Sequence, residues 1–407
     1  MNEVLPEGWR VVNYESVVNV HMTAFKLDDN KEYSPVIVRR RHNGVETRER
    51  KLGRKILVKN QYRVKSGTFL ISKRQIFHGS CGLVPDNISK DAIISKEYLA
   101  LETTSDLDIR FLNYFSYTNT FQQQIIRTTY GIDVEKFVFK DKWWMKELIP
   151  LPPIEEQKKI ASILSSIDEV IEKTTAQVVK LKDLKTSLMQ ELLTKGIGHS
   201  EFKDSPVGRI PVEWEVLPLG DVVKQKISYG IVQAGAHIPD GIPYIKSSNV
   251  GGEIDIFSLQ RTAKEIHHKY RRSAVHPNDI IFSLRGNIAR TSIVPKTLPE
   301  ANLTQGTARV SVNSKNDVKY IYYQLASDKV LNLINIASKG TTFQEISLEE
   351  LRKVKILTPP LKEQKEIAKI LTSVDQKITT TNQKLSALTH TKKALMQDLL
   401  TGKKRVI

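Results

Sequence analysis

The feature that most constrains this chain is a long segment that occurs twice. It opens with PPIEEQKKIASILSSID at Pro152 and with PPLKEQKEIAKILTSVD at Pro359. About half of the positions from Pro152 to Thr194 are identical in the second copy, and both copies end in LMQxLLT. Agreement over such a length indicates an internal duplication. The fold must therefore accommodate two equivalent copies of one element.

The duplication extends to the region before each copy. LPEGWRVVNYESVV, from Leu5, is similar to IPVEWEVLPLGDVV, from Ile210, and places Trp9 opposite Trp214. The chain order is therefore variable half, repeated segment, variable half, repeated segment. With 407 residues the chain has room for about two to four domains with hydrophobic cores.

Each repeated segment carries the signals of one long helix. A Pro-Pro pair suits a helix start, where a missing N–H costs nothing, and Glu155, Glu156 and Glu363 lie where the helix dipole favours acids. Gly196 and Gly402 follow the last apolar residues and suit left-handed caps. The sequence therefore predicts two helices of about 40 residues, each about 60 Å long.

Along both predicted helices, apolar residues recur at alternating spacings of four and three, which is typical of a coiled-coil seam. In the first copy the seam positions are Ile160, Leu164, Ile167, Ile171, Thr174, Val178, Leu181, Lys185, Leu188 and Leu192. In the second copy they are Ile367, Leu371, Val374, Ile378, Thr381, Leu385, Leu388, Lys392, Leu395 and Leu399. Even the polar exceptions correspond, threonine with threonine and lysine with lysine.

A single apolar seam on a helix of this length must be buried against a partner, and the nearest partner is the other copy. Duplicated halves usually lie about a pseudo-twofold axis, which makes their helices antiparallel. We therefore expect an antiparallel coiled coil with the variable halves at opposite ends of a rod. Packing of each helix on its own domain is the alternative, but it does not explain the shared register.

The charge distribution favours a polyanionic partner. The net charge is +17, and between Arg39 and Arg74 thirteen Lys or Arg residues stand against two acids. A solvated basic face is the alternative, but so unequal a segment favours nucleic acid. No apolar run is long enough to cross a bilayer, and the start of the chain lacks the pattern of a signal peptide. A single cysteine, Cys81, agrees with a reducing compartment, so we expect a cytoplasmic protein without a membrane partner.

The two variable halves have an α/β pattern, in which short β-branched runs alternate with helical spacing. VKSGTFLISKR, from Val64, aligns with VHPNDIIFSLR, from Val275, so that in both halves an apolar strand ends in Ser-x-Arg at Arg74 and Arg285. An arginine delivered into a loop in this way suits a guanine edge or a phosphate, although it is equally an ordinary strand end.

Polar residues in nearby loops complete the candidate DNA-binding set, because Asn, Gln and Arg suit base edges and Lys and Thr suit phosphates. In the first half the candidates are Lys73, Arg74, Gln75, His78, Lys96, Arg127, Thr128 and Tyr130. In the second half they are Lys246, Ser247, Asn249, Arg285, Arg290, Gln305, Lys339, Thr341, Thr342 and Gln344. For any single member an ordinary polar residue on the protein surface is the better explanation, so the prediction concerns the set.

No catalytic or metal motif is convincing. The chain has no G-x-G-x-x-G and no phosphate-binding P-loop. A nuclease-like Glu-x-Lys begins at Glu156 and at Glu363, but it lies in the first turn of a helix, where Glu is a common terminal residue. His267, His268 and His276 stand among basic residues and favour a phosphate-facing or solvated patch over a metal site. The sequence therefore predicts no catalytic residue and no metal ligand.

The doubled P-P-[IL]-x-E-Q-K-x-I-A-x-I-L motif and the chain order resemble the specificity subunit of type I restriction-modification systems. The resemblance covers essentially the whole chain. It implies an α+β fold with two mixed α/β target recognition domains, separated by two long helices that form an antiparallel coiled coil in a pseudo-twofold repeat. The expected domains are recognition domains at 1–150 and 199–358 and helical spacers at 151–198 and 359–407.

The resemblance also implies a non-enzymatic subunit that binds a bipartite double-stranded DNA target. Its expected partners are two modification (methyltransferase) subunits and restriction (translocase/nuclease) subunits, with S-adenosylmethionine, ATP and Mg expected on those partners and no cofactor on this chain. Two alternatives stay open from the residues alone. One is an autonomous DNA methyltransferase or nuclease, and the other is a non-catalytic coiled-coil regulator.

Overall fold

The computed structural model describes residues 5–131, 137–337 and 345–406. The chain divides into two compact units. Unit 1 comprises Met1–Thr175 and Gln383–Ile407, and unit 2 comprises Ala176–Asn382. Each unit therefore holds one variable half, the start of one long helix and the end of the other.

Unit 1 is built mainly from short strands. Its strands are β1 (Arg10–Asn13), β2 (Val18–Val20), β3 (Ala24–Lys26), β4 (Glu32–Val38), β5 (Val45–Thr47), β6 (Lys51–Leu52), β7 (Asn60–Arg63), β8 (Phe69–Ser72), β9 (Cys81–Leu83), β10 (Ala92–Ile94), β11 (Tyr98–Thr103), β12 (Thr129–Tyr130), β13 (Val138–Phe139) and β14 (Leu148–Leu151). Its helices are α1 (Ile109–Phe115), α2 (Asn119–Arg127), α3 (Asp141–Trp144) and the start of α4 (Ile154–Lys195). The two larger sheets have the strand orders β3-β7-β10-β4-β5, with β6 on β4, and β2-β11-β8-β9.

Unit 2 repeats this organisation with fewer strands. Its strands are β15 (Phe202–Lys203), β16 (Ile210–Pro211), β17 (Glu215–Pro218), β18 (Ser228–Tyr229), β19 (Ile242–Ile245), β20 (Arg261–Thr262), β21 (Ile280–Ser283), β22 (Thr291–Ile293), β23 (Asn302–Leu303), β24 (Thr307–Val310) and β25 (Lys355–Thr358). Its helices are α5 (Lys264–Lys269), α6 (Val318–Leu325), α7 (Asp328–Ala337), α8 (Leu348–Lys353) and the start of α9 (Leu361–Leu399). The larger sheets are β18-β24-β21-β22 and β20-β19-β23.

The same topology recurs at equivalent sequence positions. Strand β8 pairs with β11 and β9, and the aligned strand β21 pairs with β24 and β22. A parallel strand pair occurs in each half, β4 with β10 and β19 with β23. The first strand of each half pairs antiparallel with the strand that leads into the long helix, β1 with β14 and β17 with β25. The duplication therefore includes the fold of the variable halves, although their sequences differ.

The long helices pack antiparallel within each unit. In unit 1, Ile160 and Leu164 near the start of α4 share a buried cluster with Leu399 at the end of α9. In unit 2, Leu193 at the end of α4 shares the main core with Ile367 and Leu371 at the start of α9. The predicted fold class, two mixed α/β domains with an antiparallel pair of long helices, is confirmed.

Candidate nucleic-acid interface and helix junctions

The predicted seam positions face inward along both long helices. All twenty are buried or partly buried, and none is exposed. The buried apolar members are Ile160, Leu164, Val178, Ile367, Leu371 and Leu399. Between them stand charged and polar residues with large exposed fractions. The alternating spacing therefore identifies the contact face of each helix.

The polar exceptions in the seam have internal partners. Thr174 and Thr381 are buried, and their hydroxyls donate to the carbonyls of Val170 and Lys377, each at 2.6 Å. A buried hydroxyl that bonds within its own helix avoids the cost of an unpaired polar group. The threonines are therefore accommodated without a polar partner on the other helix.

The seam lysines bridge three elements in each unit. In unit 1, Lys392 Nζ lies 2.5 Å from Asp168 Oδ1, and Tyr114 of α1 donates its hydroxyl to Asp168 Oδ2 at 2.8 Å. The ammonium also lies 5.7 Å from the Tyr114 ring centroid. One carboxylate on α4 therefore receives a cation from α9 and a hydroxyl from the variable half.

Unit 2 contains the same junction. Lys185 Nζ lies 2.7 Å from Asp375 Oδ1, and Tyr323 of α6 donates to Asp375 Oδ2 at 2.7 Å. Lys185 lies 5.6 Å from the Tyr323 ring centroid. Burial raises the pKa of Tyr323, and the hydrogen bond to the carboxylate raises it further, so the phenol stays a donor. The tyrosine and aspartate roles were not predicted, although both residues recur at equivalent positions of the repeat.

In the Glu-Gln pair of the repeated motif, the Gln joins each helix start to its variable half, whereas the Glu binds other segments. Gln157 accepts the backbone N–H of Asp108, the N-cap of α1, at 2.9 Å, and Gln364 accepts that of Asp317, the N-cap of α6, at 2.8 Å. Arg405 donates two hydrogen bonds to the Glu156 carboxylate, at 2.7 and 2.8 Å. Its carboxylate is therefore occupied by a guanidinium, which explains the nuclease-like triplet structurally.

Glu363 is held differently from its counterpart. Trp214 donates its indole N–H to Glu363 Oε2 at 3.0 Å, and Oε1 accepts the backbone N–H of Ile197 at 2.9 Å. His199 Nε2 lies 2.9 Å from the same oxygen. A single first-turn carboxylate therefore ties the end of α4 and the Trp214 segment to the start of α9.

The candidates that follow β8 are grouped on one surface of unit 1. Lys73 pairs with Asp141 at 2.6 Å, and Arg74 pairs with Glu97, beside Lys96, at 2.6 Å. Burial acts to raise the pKa of Asp141, but the hydrogen bond and charge of Lys73, together with the backbone N–H and charge of Lys142, lower that pKa overall. Both predicted cations are therefore partly neutralised within the unit.

The other candidates of the first half differ in exposure. Arg127 pairs with Glu147 at 2.7 Å. Thr128 is buried and donates to the Gln124 carbonyl at 2.7 Å, so its hydroxyl does not face solvent. Tyr130 is exposed, with Lys140 Nζ 5.0 Å from its ring centroid. Gln122 of α2 donates to the Phe77 carbonyl at 3.1 Å, which joins this group to the turn after β8. In that turn the backbone N–H of His78 bonds to the Gln75 carbonyl.

The second-half candidates converge from three loops of unit 2. Ser247 donates to the Gly306 carbonyl at 2.9 Å, next to Gln305, and a Cβ at Gly306 would lie 3.2 Å from Arg285 Cγ. A Cβ at Gly251, two residues after Asn249, would lie 2.8 Å from Arg290 Cδ. The loops that carry these residues therefore pack on one another.

Two cations of this group already have polar partners. Lys246 Nζ lies 2.5 Å from Gln260 Oε1, and Arg285 pairs with Glu345 at 2.9 Å. The remaining predicted residues, Lys339, Thr341, Thr342 and Gln344, lie outside the described residues. The second surface therefore consists of Lys246, Ser247, Asn249, Arg285, Arg290 and Gln305 as far as the described chain extends.

An arginine-rich cavity in unit 1 was missed as a site. It has a volume of about 570 Å³ and is lined by residues that include Arg39, Arg40, Arg41, Arg48 and Gln75. Arg40 Nε donates to Gln75 Oε1 at 2.8 Å, which links the cavity to the predicted set. The three consecutive arginines at 39–41 were counted only as part of the basic segment. This run of arginines is the sequence feature that could have indicated the site.

The acidic, histidine and cysteine side chains of the described residues do not form a metal site. Within 5–131, 137–337 and 345–406, no group of three or more His, Cys, Asp or Glu residues is arranged to hold a metal ion. His267 is buried, beside Asn302 at 2.8 Å and Glu300 at 3.5 Å. Of the helices in these ranges, none is both long enough and apolar enough to cross a bilayer.

Comparison with known protein families adds an independent observation. A family model described as type I restriction modification DNA specificity domain matches residues 6–181 and 211–390. The chain belongs to this family. Each match covers one variable half with most of the long helix that follows it, so the family unit occurs twice. The family predicted from the doubled Pro-Pro-x-x-Glu-Gln motif is confirmed.

Curated relatives of this specificity family come from archaea and bacteria. The MjaVIII specificity subunit of a type I restriction enzyme of Methanocaldococcus jannaschii is 30% identical over 334 residues, which are 78% of this chain and 76% of that protein. The MjaX specificity subunit of the same organism is 34% identical over 263 residues, or 63% of this chain and 59% of that protein. In the second comparison the chain therefore spans about three fifths of its relative.

Solved structures show the same fold at low sequence identity. The S subunit of a type I restriction-modification system from M. genitalium has a TM-score of 0.59 at 17% identity, covering 98% of this chain and 97% of that one. A chain from a study of the assembly of a type I R-M system has a TM-score of 0.56 at 17% identity, with 99% and 100% coverage. The specificity subunits of this family are non-catalytic, in agreement with the prediction that this chain is not an enzyme.

Proposed function

We propose that this type I specificity subunit binds a bipartite double-stranded DNA target, one part with each variable half, while its paired helices set the distance between the parts. The observation that carries the proposal is the repeated junction. Tyr114, Asp168 and Lys392 join a variable half to both helices in unit 1, and their counterparts do the same in unit 2. The same junction therefore connects both variable halves to the helices, although the polar loops of the two halves differ. This arrangement suits one scaffold that carries two domains with different DNA specificities.

The charge of the loops supports DNA as the ligand. Backbone phosphates supply most of the affinity of such proteins, and the net charge of +17 and the thirteen basic residues of 39–74 provide the complementary field. Polar and arginine side chains suited to base edges occur in loops of both halves. We therefore expect the affinity for DNA to fall steeply as the salt concentration is raised. A coiled-coil regulator that binds no DNA would show no such salt dependence.

The proposal assigns catalysis to other chains. Two modification subunits dock on the two equivalent helical regions, and restriction subunits join that assembly. S-adenosylmethionine, ATP and magnesium are held by these partners, and the complex acts in the cytoplasm. The duplicated chain supports the number two, because one asymmetric subunit with two equivalent surfaces accepts two copies of the same partner.

Methylation mapping tests the proposal. Genomic DNA from cells that express the chain with its modification subunit is compared with DNA from cells that lack only this chain. We expect methylation at one motif with two specific parts and a fixed non-specific spacer, and its loss without the chain. Methylation that persists unchanged without the chain would refute the role in specificity.

A binding experiment separates the proposal from an autonomous enzyme. The purified chain alone is expected to bind duplex DNA and to show no S-adenosylmethionine binding by calorimetry. Cofactor binding and methyl transfer are expected only after the modification subunits are added. Turnover by the purified chain alone would favour the autonomous methyltransferase.

A further inference from the structure

The loop between β4 and β5 is a tight turn in an unfavourable backbone conformation. Its two central residues, Arg41 and His42, have φ values of 58° and 52°, and the N–H of Asn43 bonds to the Arg40 carbonyl at 3.3 Å. Positive φ at both central positions is the pattern of a type I′ hairpin turn, which normally takes Asn-Gly. The left-handed conformation is energetically unfavourable for any L residue that has a Cβ. Contacts with another part of the unit must therefore stabilise this turn.

The turn is held by the segment that follows β8. The N–H groups of Arg41 and His42 bond to the carbonyls of His78 and Gly79 at 2.7 and 2.9 Å. The His42 ring stacks on Tyr117, with ring centroids 4.2 Å apart. A Cβ at Gly79 would lie 2.9 Å from the His42 ring, so only glycine fits beneath it. Burial lowers the pKa of the His42 imidazole, which favours the neutral form of the stacked ring.

This anchoring presents Arg41 at the arginine-rich cavity. Arg41 is exposed and lines the cavity, and its guanidinium has no hydrogen-bond or ion-pair partner among the residues that the structure describes. Arg39 is paired with Glu46, whereas Arg40 is tied to Gln75. No acidic side chain occurs among the described residues that line the cavity. The backbone is thus fixed while the Arg41 guanidinium stays available to a ligand.

We propose that Arg41 is a base-reading residue of the first variable half and that it binds the O6 and N7 edge of a guanine in the major groove. This inference rests on the proposed function. A planar guanidinium can donate two hydrogen bonds to that edge. The fixed turn limits the directions in which the Arg41 side chain can extend. Base reading requires such a defined orientation, whereas a phosphate contact does not. Arg40 and Gln75, already joined to each other, form the neighbouring wall of the same reading surface.

Backbone strain allows stability and reading to be separated. Glycine adopts positive φ freely, so Arg41→Gly removes the side chain and relieves the strain together. A structural role for Arg41 predicts a lower melting temperature in this variant. Base reading predicts a melting temperature that is unchanged or raised by up to a few degrees, with poorer discrimination at the target. Arg41→Lys keeps the charge but loses the bidentate geometry.

The test uses the full chain assembled with its modification subunits. Wild type, Arg41→Gly, Arg41→Lys and a control, Arg54→Ala, are compared on duplex pools with randomised half-sites. Arg54 lies in the same basic segment and is exposed, but it does not line the cavity. We expect both Arg41 variants to lose preference for guanine at one position of one half-site, with affinity about tenfold to a hundredfold lower for the wild-type target. The second half-site stays unchanged, and Arg54→Ala keeps every base preference.

Three results would overturn the inference. The first is an unchanged base preference in Arg41→Gly. The second is a uniform loss of affinity with a salt dependence reduced by about one ion, which marks a phosphate contact. The third is a loss spread over both half-sites. If the wild-type complex itself shows no bipartite preference, the proposed function and this inference fail together, whereas the first three results leave the proposed function standing.

Discussion

Lys392 and Asp168 form an ion pair between α9 and α4, with 2.5 Å between Nζ and Oδ1. The position of Lys392 would be apolar if the seam followed a simple heptad rule. Its partner carboxylate also accepts the hydroxyl of Tyr114, so the exception joins the helices to a variable half. An isolated surface ion pair contributes little, but removal of one member of a partly buried network leaves the others unpaired.

Substitution of this carboxylate is expected to destabilise unit 1. Asp168→Ala removes the acceptor of Tyr114 and the counter-ion of Lys392, so we expect the free energy of unfolding to fall by about 1–3 kcal/mol. Denaturant unfolding monitored by tyrosine and tryptophan fluorescence measures it. Lys173→Ala is the control, because its pair with Glu169 at 3.5 Å is exposed, and its effect should stay within about 0.5 kcal/mol. An Asp168→Ala effect no larger than that of the control would contradict the junction's role.

A matched deletion in both helices tests their role as a ruler. Removal of residues 171–177 and 378–384 deletes one heptad from each helix and preserves the alternation of four and three in both seams. Each helix shortens by about 10 Å, which is about three base pairs of DNA. Methylation mapping should therefore reveal a spacer shorter by about three base pairs between unchanged half-sites.

The control for this deletion keeps the helix length. Val179 is exposed on α4, and the equivalent position of α9 is Ser386. Val179→Ser therefore introduces the residue of the other copy and leaves the contact face of the helix unchanged. Its spacer should equal that of the wild type. Altered half-sites with an unchanged spacer in the deletion variant would show that the helices do not set the distance.

Glu363 is expected to be important for the stability of unit 2. Glu363→Ala leaves the indole N–H of the buried Trp214 and the N–H of Ile197 without their acceptor. We expect a loss of about 2–3 kcal/mol in the free energy of unfolding and a shift in tryptophan emission. Glu366→Ala, an exposed position on the next turn of α9, should change neither quantity. Equal effects of the two substitutions would show that the carboxylate does not hold this junction.

Acid should weaken the cap of α1. Asp108 accepts the N–H groups of Arg110 and Phe111, and although burial acts to raise its pKa, these bonds and the Arg110 charge lower it overall. Its unfolded-state pKa is about 3.9, so its contribution to stability is complete above that pH and is lost as the pH falls through the lower folded-state pKa. Asp108→Asn retains a cap without titration, so its stability should depend less on pH below about 4. Parallel pH curves for the two proteins would contradict this account.

Sequence periodicity predicted the helical part of the fold well because seam contacts obey a local rule. A residue that recurs every three or four positions must lie on one face of a helix, whatever the partner. The pairing of Lys185 and Lys392 was not predictable in the same way. Their partners, Asp375 and Asp168, lie about half the chain away, and an acid on a charged helix surface carries no signal of its role.

The candidate interface shows the same division. Composition indicated the basic segment and its preference for an anion, but side-chain pairing decides which cations are available. Lys73 and Arg74, chosen from their place after a strand, are partnered by Asp141 and Glu97. Arg41 was not chosen, because the Asn-Gly pair of this loop is Asn43-Gly44, two residues beyond the central positions of the turn that forms.

The sequence by itself determined the duplication, the two helices with the phase of their seams, and the family, since each follows from residues at fixed spacing. Only the tertiary structure decided that the lysines of the seams meet aspartates and tyrosines, and that Arg41 is held in a left-handed turn beneath which Gly79 makes room for His42. The physical reason is that periodicity is a property of neighbouring residues. Ion pairs, strained turns and reading surfaces depend instead on residues that only folding brings together.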